Sequence, residues 1–129
     1  MLEVGIKGQR ETIVTKQNTA AGIGSGSLEV FSTPMMILLM EECCFMSVDD
    51  KLDEGFTTVG ISVNIKHLSA TPLGMKVEIK SDLIKVDGRA LTFKVEAYDE
   101  KGLIGEGIHE RFIVNNEKFQ AKTDSKLDK

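Results

Sequence analysis

The chain has 129 residues, 41% apolar and 28% charged, with a formal net charge of -4. That length predicts one domain, with enough chain to bury roughly two-thirds of its unfolded surface. Acidic and basic residues are interspersed, tryptophan is absent and aromatics make up only 5%, which argues against a nucleic-acid partner.

The N-terminal run MLEVGIKGQRETI lacks the apolar segment of a signal peptide. A first strand is predicted best at Arg10–Lys16. The stretch 18–27 (NTAAGIGSGS) is rich in glycine and small residues and reads as a lid or linker loop. Its GIGSGS run lacks the GK[ST] ending of a phosphate loop.

The next stretch, Thr33 to Asp50, reads TPMMILLMEECCFMSVDD. Thr33 is the expected N-cap and Pro34 the first helical residue. From Met35 to Val48 the residues are apolar nearly all the way round. A helix of that kind is expected to be wrapped by other structure. It is too short to cross a bilayer, which takes about 20 apolar residues. Glu41 and Glu42 sit in its middle and point about 100° apart. One can reach solvent; the other needs a partner or a proton, because a lone buried carboxylate is costly. Cys43 and Cys44 are adjacent and lack metal-ligand spacing. They read as reduced core residues, which predicts a reducing, cytoplasmic setting.

Four strands follow. In Thr57–Ser69, Val59, Ile61, Val63, Ile65 and His67 share one face by the period of two, and Gly60 falls on the other. Met75–Val86 slips phase at Ile84, which predicts a bulge. Asp87-Gly88 is the expected hairpin turn into Ala90–Tyr98. Leu103–Val114 places Ile104, Ile108, Phe112 and Val114 on one face, leaving His109 and Arg111 on an expected solvated face. The domain is expected to span 1–122, with 123–129 a charged tail that frays.

One apolar helix followed by strands joined by tight turns gives an antiparallel sheet. The apolar strand faces need cover, and only the 34–48 helix is apolar enough. The sheet must curl around it, an α+β arrangement of the hotdog kind. Long exposed sheet edges point to a dimer.

The chemistry-bearing residues are few. His67 reads either as a neutral core histidine or as an acid/base partner for Glu41, since imidazole titrates near neutrality. A carboxylate held in an apolar helix is a strong nucleophile or base. Thr33 and Glu41 are about 12 Å apart along one helix. Their cooperation needs an irregular helix start or a second subunit. No G-x-S-x-G nucleophile signature is present.

The segments EVFSTPMMILLMEECC, TTVGISVNIKHLSATPLG, KVDGRALTFKVEAYDE and IGEGIHERFIVNNEKFQAK together resemble the fluoroacetyl-CoA thioesterase-like branch of the hotdog thioesterases. The specific elements are Thr-x7-Glu, Gly-x6-His-x2-Ala-Thr-Pro and His-Glu-Arg. The resemblance implies a homodimer or dimer of dimers that hydrolyses a short acyl-CoA at the subunit interface, without metal or bound cofactor. It places the catalytic roles on Thr33, Glu41 and His67, and substrate contacts on Gly60 and Arg111. Neither nucleic acid nor membrane is an implied partner. Two rival functions remain open: a non-catalytic acyl-CoA-binding hotdog module, and a hydratase or dehydratase that leaves the thioester intact.

Overall fold

The computed structural model describes residues 2–128. Strand β1 (Lys7–Ile13) leads through a 3-10 turn at Lys16–Asn18 to a short helix α1 (Ala20–Ile23) and the long helix α2 (Thr33–Asp49). Four strands follow: β2 (Phe56–His67), β3 (Lys76–Asp87), β4 (Ala90–Asp99) and β5 (Gly102–Asn115); helix α3 (Asn116–Asp124) comes after them. The strands form one sheet in the order β1-β3-β4-β5-β2, with every neighbouring pair antiparallel. The sheet packs on α2 from all five strands. This is the α+β arrangement expected from the sequence.

Several local expectations shift. β1 begins three residues earlier than predicted, and Val14, fully buried, donates its N–H to Met75 O beyond the strand's end. The stretch read as a loop holds α1, whose Gly22 N–H donates to Thr19 Oγ1 and which Gly24 ends at φ +83°. The helix cap is Ser32 rather than Thr33: Ser32 Oγ accepts from Met35 N at 3.3 Å. Thr33 thereby becomes the first helical residue, and its hydroxyl is free for another partner. The β3–β4 turn is Gly88-Arg89, since Asp87 pairs with Ala90. Gly88 has φ +60° and Arg89 does not have positive φ. That suits a turn needing glycine only at its first central position. The bulge predicted at Ile84 is present, between Leu83 and Lys85.

Helix α2 buries Met36, Leu39, Met40, Cys43, Cys44 and Val48 against Val77, Ile79, Leu83, Leu91, Phe93, Val95 and Ala97. Each large side chain enclosed this way stabilises the fold by roughly 1.5–3 kcal/mol. The helix is not wrapped all round within one chain. Leu38 and Met46 remain 44% and 52% exposed on its other side. Gly105 is required where α2 crosses β5, because a Cβ there would lie 2.6 Å from Met36 Sδ.

The inward face of β5 carries Gly105, Gly107, His109 and Arg111. Leu83, Phe93, His109 and Val63 lie in cross-strand register, as do Leu91, Arg111 and Gly60. Leu83, Phe93 and Leu91 are fully buried. The expectation that His109 and Arg111 are solvated is therefore wrong: they are 1% and 7% exposed. Ile108 and Phe112 instead face outward, 37% and 38% exposed. Met36 packs over Gly105, Asn64 O and Ile65 crowd Gly107, and the two polar side chains satisfy each other farther along the strand.

Beyond β5, Asn115 Oδ1 accepts from Lys118 N and starts α3. The chain stays helical through Asp124, with a 3-10 turn at Ser125–Leu127, across residues read as a fraying tail. Gln120 Nε2 donates to Asp124 Oδ1 and Thr123 Oγ1 to Phe119 O, which supports the last turns.

Candidate active site

Two polar clusters lie between α2 and the sheet, one at Thr33 and His67 and one around Glu41 and Gly60. The first is at the start of α2. Thr33 Oγ1 and His67 Nδ1 are 2.7 Å apart. Capping by Ser32 frees the Thr33 hydroxyl, and β2 delivers His67 at its last residue. His67 Nε2 is buried with no hydrogen-bond partner among the described residues. Burial lowers the His67 pKa from its ordinary value, which favours the neutral ring near pH 7. With the ring proton on Nε2, Nδ1 accepts from the Thr33 hydroxyl; with it on Nδ1, Thr33 Oγ1 accepts. The pair opens on a pocket of about 840 Å³, lined by Phe31, Pro34, Ile37, Leu68 and Ala70 among others. Mostly apolar walls, with Ser25, Ser32 and Ser69 beside the Thr33–His67 pair, describe a small-molecule site.

The second cluster surrounds Glu41. A Cβ built on Gly60 would lie 3.1 Å from Glu41 Oε2, 3.2 Å from His109 Cε1 and 3.4 Å from Arg111 Nη1. Glycine thus leaves its backbone open beneath a half-buried carboxylate. Arg111 donates from Nε to Thr58 Oγ1 at 2.7 Å, from Nη2 to Thr58 O at 2.9 Å, and from Nη1 to His109 Nε2 at 3.1 Å. A guanidinium only donates, so His109 Nε2 must accept. Its proton therefore sits on Nδ1, which donates to Ser62 O at 2.8 Å. Burial, with the Arg111 charge a lesser cause, lowers the His109 pKa and keeps the ring neutral. The Arg111 guanidinium also lies over the Phe45 ring, 5.6 Å from its centroid.

Glu42, the other carboxylate, turns away from this cluster and pairs with Arg10 at 3.5 Å. The anticipated pairing of Glu41 with His67 is not made within one chain: His67 meets Thr33, and Glu41 lies against Gly60, on the side that His109 and Arg111 also approach. Some 12 Å of regular helix separates Thr33 from Glu41.

Residues 14–117 match the family described as fluoroacetyl-CoA-specific thioesterase. The chain belongs to this family. The fluoroacetyl-CoA thioesterase of Streptantibioticus cattleyicolor is 39% identical over 98 residues, which is 76% of this chain and 70% of that protein. Among solved structures, the fluoroacetyl-CoA thioesterase FlK is similar with a TM-score of 0.90 at 32% identity, covering 98% of each chain. A FlK variant in complex with acetyl-CoA gives a TM-score of 0.88 at 32% identity, covering 98% of this chain and 99% of that one. A thioesterase superfamily member from Thermus thermophilus gives 0.88 at 30% identity, covering 96% and 92%.

Within this fluoroacetyl-CoA-specific thioesterase family member, the sequence-predicted residues fall into two groups: Thr33 with His67, and Glu41 with Gly60 and Arg111. Sequence reasoning missed His109, Thr58 and the Ser62 carbonyl. The signal was the alternation Gly105, Gly107, His109, Arg111, in which small residues clear the inner face ahead of two polar ones. No group of His, Cys, Asp or Glu able to hold a metal ion occurs among the described residues. No helix among them is long and apolar enough to cross a membrane.

Proposed function

We propose that this protein hydrolyses a short-chain acyl-CoA thioester to the free acid and CoA, using Thr33, Glu41 and His67 as reacting groups and Gly60 and Arg111 as substrate contacts. The observation that carries the reading is the Thr33–His67 pair opening on the pocket, in a chain whose family is one of thioesterases. Glu41 either attacks the thioester carbonyl, expelling the CoA thiolate and leaving an acyl–Glu41 anhydride that water then hydrolyses, or takes a proton from the water that attacks directly and expels the thiolate. The Nε2–H of His67 donates a hydrogen bond to the departing thiolate, the proton given up by the hydrolytic water passes to that sulfur, and Thr33 holds the ring through Nδ1. Arg111 and the open backbone at Gly60 receive the polarised acyl group.

A homodimer completes this site. The outer edge of β2 is unpaired within one chain, and Ile61 and Val63 are 57% and 43% exposed there. Antiparallel pairing of β2 with its copy, about a two-fold axis between Val63 and Asn64, sets Gly60 across from His67 of the partner subunit. Glu41 of one protomer then faces the Thr33–His67 pair of the other, which removes the separation along α2. The working unit is the single domain 1–122. Two buried, unpaired thiols, Cys43 and Cys44, support a cytoplasmic setting.

The test is thiol release over a panel of short acyl-CoAs. Glu41→Gln or His67→Ala should lower turnover by about 10²–10⁴, the usual size of a general acid–base contribution. Mixing the two variants should restore activity, since a heterodimer would hold one intact site. Full activity in both single variants overturns the mechanism. Thermal stabilisation by acyl-CoA with no thiol released would assign a binding module instead.

A further inference from the structure

Gly60 and His67 stand seven residues apart on β2. In an uninterrupted strand an odd separation puts two residues on opposite faces. Here they share one. Gly60 pairs with Arg111 and, beyond it, Leu91; His67 pairs with Gly105 and Ala97. Leu91 and Ala97 are both fully buried, so both rows point inward. The register shift between Gly60 and Ser62 supplies the extra residue, Ile61, that brings the two into phase.

One side chain holds this irregularity from below. His109 Nδ1–H donates to the Ser62 carbonyl, immediately after the bulge. His109 Nε2 accepts from Arg111, which in turn grips Thr58 on the near side of Gly60. The imidazole and guanidinium thus bridge the bulge, tied to β2 at residues 58 and 62.

We infer that His109 is a positioning residue whose Nδ1–H bond to Ser62 holds the Ile61 bulge, so that Gly60 and His67 both face the reaction centre. The inference rests on the hydrolase reading for its effect on turnover, though not for the bulge itself. His109 touches no reacting atom. Loss of the bond frees β2 to relax toward a regular strand, rotating His67 away from Thr33. The consequence falls on the chemical step, and substrate grip through Arg111 is largely kept.

Three substitutions separate the two ring nitrogens. His109→Asn places an amide N–H near the former Nδ1 and keeps the Ser62 bond. His109→Gln reaches the former Nε2 position, keeping the acceptor for Arg111 but losing the Ser62 donor. His109→Leu loses both. The readouts are kcat and KM for acyl-CoA hydrolysis, and amide hydrogen exchange at residues 61–64. His109→Leu and His109→Gln should lower kcat at least tenfold with KM within about threefold, and speed that exchange. His109→Asn should return both readouts toward the parent. If the Leu variant fails to fold, the contrast between Asn and Gln decides. Equal behaviour of Asn and Gln, or better activity in Gln, overturns the clamp. A parent that releases no thiol sinks the hydrolase reading alone, because the exchange pattern still tests the bulge.

Discussion

Thr33 Oγ1 lies 2.7 Å from His67 Nδ1, joining the first residue of α2 to the last of β2. The contact exists because Ser32 takes the capping role and leaves the Thr33 hydroxyl unused. It engages Nδ1 of the ring and leaves Nε2 without a partner among the described residues. Thr33→Ser should keep activity within about threefold, and Thr33→Val should lower kcat by about 10–100-fold while the protein stays folded. Loss of one neutral hydrogen bond at an exposed position costs only about 0.5–1.5 kcal/mol of stability. Steady-state kinetics alongside thermal melts check both halves.

Gly60→Ala should act on Glu41 rather than on the fold. The added methyl would sit 3.1 Å from Glu41 Oε2. A half-buried carboxylate can retreat by a few tenths of an ångström. Turnover should drop about tenfold, which corresponds to about 1.4 kcal/mol of barrier. Stability should stay within about 1 kcal/mol of the parent. By contrast, Gly105→Ala meets Met36 in the core and should destabilise by about 1–3 kcal/mol. Urea titrations of the two variants distinguish these outcomes.

Stability should fall on mild acidification. Burial lowers the pKa of both His67 and His109 from the ordinary 6.5. Well above 6.5 both rings are neutral whether folded or unfolded, and the full stability is present. As the pH drops from 6.5 toward the lowered folded values, the unfolded chain takes up protons that the folded chain refuses, so stability is lost. Urea midpoints measured from pH 7.5 down to 5 should decline, and less steeply in His109→Asn.

The two thiols should be inert in the native protein. Cys43 and Cys44 are 1% and 0% exposed, and burial pushes both thiols up in pKa. The thiolate is the reactive form, so enclosure and protonation act together. Ellman's reagent should label neither cysteine in buffer and both in 6 M guanidinium. Rapid native labelling would mean that α2 opens far more often than its packing implies.

Much of the architecture was legible in the sequence because it is written in periods. The β4 alternation of Leu91, Phe93, Val95 and Ala97 puts the fully buried side on one face, and the structure keeps it there. The Ile84 bulge was visible as a slip in phase. The other bulge was not, since Val59, Ile61, Val63, Ile65 and His67 alternate without a break. The displaced residue, Ile61, is as apolar as its neighbours, so hydropathy carried no mark of it. Only Gly60, a substrate contact by resemblance yet on the face opposite His67 by alternation, hinted that the strand changes face. His109 and Arg111 failed for a related reason. Burial of a charge depends on partners 50 residues away, here Thr58 and Ser62, and no local pattern encodes them. Thr33 was expected as the cap and is not, because Ser32 and Thr33 are equally suited to start a helix and Ser32 takes the role.

Strand β2 also has a bearing on handling. Beside its single sheet neighbour, β5, it offers an open row of backbone donors and acceptors with apolar side chains along it. Such a margin recruits any extended chain it meets. If β2 pairs with its copy as proposed, dilution that parts the dimer would invite clumping, and inactivation in storage should then track protein concentration rather than unfolding of the helix–sheet core.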